Sequence, residues 1–136
     1  MSTETDKIKV HPNWLRFMYI YTMATGGVIG LALLIAPTTM LSLLGAPAQE
    51  PVMAGIAYSA WLACGILCIF GLRSPVKFAP ILLFEIAYKV VWLIAIVAPK
   101  VVVGQLPSFA TTMSILFVTM IIGDIIAIPW RHLLAK

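Results

Sequence analysis

Three ionisable residues lie inside stretches that otherwise read as lipid-spanning helices: Glu85 and Lys89 in one, Asp124 in the next. A charge in hydrocarbon costs ~3 kcal/mol or more on insertion scales, so such residues turn toward protein or water and mark a site. Glu85 and Lys89 stand at i,i+4 with the glutamate first, the favoured order for an ion pair along one helix. At depth the pair serves chiefly to make the ammonium of Lys89 tolerable. Asp124 has no basic neighbour of its own. If the three converge, their charges sum to −1, and the site requires a proton, a bound cation or a cationic ligand. Tyr88 and Trp92 flank the same side of that helix. With Tyr21 and Thr25 of the first apolar segment they are the expected lining of a cavity.

A structural alternative stands beside this reading. Polar groups also lock membrane helices in register, and a Glu–Lys–Asp network does so without binding anything. A third possibility is contact with a partner subunit. Gly123, next to Asp124, is expected to let another backbone approach.

These residues need a scaffold, and composition limits which. Of the 136 residues, 62% are hydrophobic and 10% charged, with a mean hydropathy of +1.04. An ordinary soluble domain is about half apolar and a quarter charged, so the expected class is an all-α integral membrane protein, embedded in a lipid bilayer. The net charge of +4 is spread over helix ends with no basic run, which gives no nucleic-acid signal and instead sets topology. The sequence contains no H-E-x-x-H, G-x-S-x-G, P-loop or dinucleotide fingerprint. No catalytic or metal-ligating set is read, and no cofactor is named. His11 and His132 are expected at one surface, too few for a metal or haem site.

Four apolar segments approach the ~20 residues needed to cross a bilayer. They are expected at about 14–36, 52–72, 76–98 and 109–130, after a polar tail at 1–13 that is not a secretory signal. The whole is one domain. Pro37, Pro51, Pro75, Pro99 and Pro107 punctuate the boundaries. The apolar stretch 37–51 is expected to hold a short interfacial helix or re-entrant piece, and 101–108 an apolar loop. The two halves show no convincing repeat. Lys7, Lys9, Arg16, Arg73, Lys77, Arg131 and Lys136 fall on one side and Lys100 alone on the other. The expectation is that both termini are cytoplasmic. Trp14, Trp130 and Tyr19 are expected in the inner aromatic belt and Trp92 nearer the outer one.

Alternating helices bring Glu85 and Asp124 to the same depth, ~10 Å inside the cytoplasmic boundary. Tyr21, Thr22 and Thr25 of the first segment fall in that band, as do Cys64 and Cys68 of the second. Agreement in depth across all the segments is the main sequence argument for one internal site. The cysteines share a helix face, which places them poorly for a disulfide, and they read as small packing residues. Gly26-Gly27-Val28-Ile29-Gly30 permits close approach of helices, and Ala60, Cys64 and Cys68 are the expected matching stripe.

Leu34-Ile35-Ala36-Pro37 through Leu43-Leu44-Gly45, followed by a helix with Gly55, Gly65 and Gly71, resembles small bacterial four-helix membrane proteins of the DoxX-like type. The resemblance implies a four-helix bundle in a bacterial inner membrane and, in some relatives, association with redox membrane complexes. It carries no functional residues. The leading functional expectation is a membrane protein that binds a small ligand, or couples protons or cations to transport, through Glu85, Lys89 and Asp124. The alternative is a non-catalytic accessory subunit of a larger membrane complex, or a homo-oligomer, and a third reading is a membrane enzyme or quinone-linked redox subunit, which would need a bound cofactor.

Overall fold

The computed structural model describes residues 11–135. The tail before His11, with Lys7 and Lys9, lies outside the described residues, as does Lys136. Among the described residues there are helices and no strand. Four of the helices are long and apolar enough to span a membrane: α1 (Pro12–Ile35), α3 (Pro51–Arg73), α4 (Pro80–Val102) and α5 (Ser108–Ala127). Two short ones accompany them, α2 (Pro37–Leu44) and α6 (Trp130–Leu134).

Proline fixes most of the starts. Pro12, Pro37, Pro51 and Pro80 each stand in the first turn of a helix, where the missing N–H leaves nothing unpaired. At α3 the Glu50 carboxylate accepts the backbone N–H groups of Val52 at 2.9 Å and Met53 at 2.7 Å, a side-chain N-cap. Helix α2 ends on Gly45, whose φ of 70° is left-handed and suits a residue without Cβ.

Three boundaries differ from the sequence pattern. Helix α4 starts at Pro80, not Val76. Pro80 has no N–H to offer the Val76 carbonyl, which is taken at 3.3 Å by Ala79 in a tighter turn. Nor does α4 stop at Pro99. A π-turn at Leu93–Val97 widens the helix just before that proline, and the chain continues to Val102. Widening relieves the clash a proline ring makes with the preceding turn, so Val101 and Val102 are helical and not loop. Helix α5 ends at Ala127, because Ile128 precedes Pro129 and is extended at ψ 128°, as pre-proline sterics favour. Trp130 opens α6 instead of closing α5.

A second π-turn, Met23–Gly27, lies within α1. The α1–α3 contact is the most extensive in the bundle, and glycine allows it. A Cβ on Gly65 would fall 2.5 Å from the Gly27 Cα, and one on Gly30 would fall 2.8 Å from the Tyr58 carbonyl oxygen. The expected partner stripe is corrected accordingly: Gly65 makes the close approach, while Ala60 is exposed. The first half of α1 also packs on α5, and α5 packs on α4. Phe17, Ile20, Leu31, Val91, Ile94 and Ile115 face outward, the apolar exterior a bilayer accepts.

One end of the bundle is sealed by Leu15, Met18, Tyr19, Cys68, Leu82 and Ile128, all buried. Tyr19 is core and not belt: its ring fills the space left by Gly71 and its hydroxyl donates to the Pro75 carbonyl. Gly123 likewise makes room for the Met18 side chain and not for a backbone. Trp14 does sit at this end, donating to the Gly123 carbonyl at 2.9 Å. Arg16 reaches the Leu72 carbonyl at 3.4 Å, so Arg16, Arg73 and Lys77 gather at this same end.

Candidate functional site

Among the described residues the buried polar side chains are Thr22, Glu85, Lys89 and Asp124, and all four come together in the bundle interior. Glu85 and Lys89 are each 1% exposed and Asp124 0%. Their helices place them there for a simple reason. Leu82, Glu85 and Lys89 line the inward face of α4 at helical spacing, and Phe117, Met120 and Asp124 do the same on α5.

The Lys89 ammonium lies 3.5 Å from Glu85 Oε2. Thr22 Oγ1 donates to that same oxygen at 3.0 Å. The Asp124 carboxyl lies close to that of Glu85. It makes no ion pair with Lys89 within 4 Å. As carboxylates, neither acid can donate to the other, and both Asp124 oxygens lack a donor. A single proton between the two acids would supply one, and would also bring the cluster from −1 to neutral. Among the described residues, Tyr19, Cys64, Cys68 and Tyr88 are the other titratable side chains around the acids, and all are neutral in their ordinary state.

Lys89 has a second surrounding. Its ammonium lies 5.1 Å from the Tyr88 ring centroid and 5.5 Å from that of Phe117, within the range of cation–π attraction, yet it has no hydrogen-bond partner. Phe117 is the centre of an aromatic cage, meeting Trp61, Tyr88 and Trp92 edge to face at 6.5, 6.2 and 5.2 Å. Beside it is a cavity of ≈ 20 Å³ lined from all four spans, about the space one water occupies.

Of the expected lining residues, Tyr88 and Thr25 border this cavity with Glu85 and Lys89. Asp124 does not: it is fully buried, next to Gly123, which packs on Met18 of the sealed end. Tyr21 is not lining either. Its hydroxyl pairs with Thr119 Oγ1 at 3.0 Å on the rim between α1 and α5, while Thr25 faces the cavity. Trp92 stops at the outer edge of Phe117. Sequence reasoning missed Phe117 and Trp61. Phe117 was accessible, standing at i,i+7 from Asp124 on the face that the aspartate defines. Trp61 carried no comparable signal. The two cysteines are free and buried. Among the described residues, no three His, Cys, Asp or Glu side chains converge as metal ligands do.

No family model, curated protein or solved structure matches this chain. The site is therefore read from its own chemistry.

Proposed function

We propose that this protein holds and exchanges a proton inside the membrane, on the acid pair Glu85–Asp124, and couples that proton to a small ligand bound nearby. One observation carries the reading: Asp124 is fully buried, with both oxygens lacking a donor, next to a second carboxyl group. Two buried like charges side by side do not both ionise, and they share a proton instead. In this reading Lys89 balances the remaining negative charge, and Thr22 fixes the oxygen of Glu85 that faces Lys89. The sealed end bears the basic residues, which supports cytoplasmic termini by the positive-inside rule. The DoxX-like resemblance adds a bacterial inner membrane as the setting.

The test is infrared spectroscopy of the protein in lipid. A protonated carboxyl has a C=O stretch separate from that of a carboxylate. The band is expected at neutral pH, lost in Asp124→Asn, and shifted by exchange into heavy water. Its absence from the unaltered protein while both acids are present overturns the proposal. Proteoliposomes enclosing a pH-sensitive dye then ask whether exchange reaches both compartments.

A further inference from the structure

Lys89 has one ionic partner, Glu85 Oε2 at a long 3.5 Å, and no hydrogen-bond acceptor. Its ammonium carries three N–H groups, is 99% enclosed, and makes no hydrogen bond. It faces a cavity whose only other charged group is its own partner Glu85, with the Thr25 hydroxyl and Cys64 thiol beside it, and whose remaining walls are mostly aromatic rings and thioethers: Trp61, Tyr88, Phe117, Met113 and Met120. An unmet buried charged donor of this kind is costly, and apolar walls around it are the usual make-up of a ligand site, where one placed polar group fixes orientation.

The packing also shows where such a ligand enters. Residues Pro12–Thr22 of α1 pack on both α3 and α5, but Val28–Ile35 pack on α3 alone among the spans to any extent. Past the π-turn, α1 leans away from α5. The Tyr21–Thr119 bond and the Thr25 hydroxyl, 3.8 Å from Met120 Sδ, close the lower edge of the resulting cleft. Above that edge Ile29, Met113 and Leu116 are only half-buried. The cleft opens sideways, at a depth where a spanning helix faces acyl chains.

We infer that the cleft between α1 and α5 binds a neutral, lipid-soluble molecule bearing a carbonyl on a flat ring, whose oxygen accepts from Lys89. Each part of that description follows from the site. The ligand is lipid-soluble because the entrance faces the bilayer. It is an acceptor because Lys89 has only donors to offer. It is flat because Phe117 and Tyr88 present ring surfaces, which favour stacking. It is neutral because the acid pair with its shared proton already balances Lys89; in this one respect the inference rests on the proposed function. The ≈ 20 Å³ beside Lys89 takes the carbonyl oxygen alone. The ring rests in the cleft, bordered by Met113 and Met120, whose unbranched chains adapt to a guest.

The experiment is equilibrium binding to the full chain in lipid nanodiscs, with empty discs subtracted. The probe is menadione, a ring-carbonyl compound without a long tail, and naphthalene is its carbonyl-free control. Saturable binding of menadione and only partitioning of naphthalene are expected. Lys89→Met is expected to weaken menadione roughly ten-fold or more, the value of a hydrogen bond from a charged donor. Met113→Trp, which fills the cleft without touching the charges, is expected to abolish binding even if Lys89→Met fails to fold. Equal binding of the two probes, menadione binding indifferent to Met113→Trp, or no saturable menadione binding each overturns the inference. Asp124→Asn separates the two readings. Loss of the infrared band with menadione still bound supports both. A band present without menadione binding leaves the proton site standing and removes the ligand, and binding without a band does the reverse.

Discussion

Asp124→Asn decides between a proton-holding site and a structural lock, and the geometry sets the size of the effect. Asparagine has the shape of a protonated aspartic acid, and its amide donates to the Glu85 carboxylate as the shared proton does. One hydrogen bond to a charged group, worth ~1.5–3 kcal/mol, is exchanged for another of the same kind. The net change in stability is expected to stay within about 1 kcal/mol. Lys89→Met is the contrasting variant. It strips the cation from Glu85, which Lys89 approaches at 3.5 Å, and leaves a buried carboxylate unbalanced, at about 3–5 kcal/mol. At roughly 4 °C of midpoint per kcal/mol, the two variants should melt on the order of 10 °C or more apart. The free, buried Cys64 and Cys68 provide the assay. They stay dark to a thiol-reactive fluorogenic dye until the bundle opens, so the midpoint is read in detergent without added labels. If Asp124 is instead an ionised strut of the bundle, Asp124→Asn melts as early as Lys89→Met. That result refutes the shared-proton reasoning.

Two further outcomes follow from the scaffold. Gly65→Ala places a methyl carbon 2.5 Å from the Gly27 Cα, backbone that cannot rotate away, so α1 and α3 must separate by most of an ångström; a loss of about 1–3 kcal/mol is expected in the same dye assay, and an unchanged midpoint would show that the two helices do not meet there. At the head of α3, the backbone N–H groups of Met53 and then Val52 hold the exposed Glu50 carboxyl below its ordinary range. A group whose pKa is lower folded than unfolded stabilises above its unfolded value and ceases to as pH falls through the folded one. The first turn of α3 is therefore expected to loosen below about pH 4, seen as faster amide exchange at Val52 and Met53, and Glu50→Gln should remove that pH dependence.

The sequence by itself determined the number of spans, the residues that must be sheltered and the depth at which they meet. Hydrophobic length fixes a crossing, and the penalty on Glu85, Lys89 and Asp124 in hydrocarbon forces them inward, whatever the partners are. Both effects act on each segment alone, which is why they are legible without a fold. Tertiary structure decided how the charges pair. Lys89 goes to Glu85 and to an aromatic cage, while Asp124 goes to Glu85 with no cation of its own. That outcome depends on the relative rotation of α4, α5 and α1, which follows from where Gly27 and Gly65 let backbones touch and where the two π-turns shift the helical phase. A turn of wider pitch moves every later side chain around the axis, so the residues after Gly27 keep a different phase from those before Met23. No pattern of apolar residues along one helix reports such a shift.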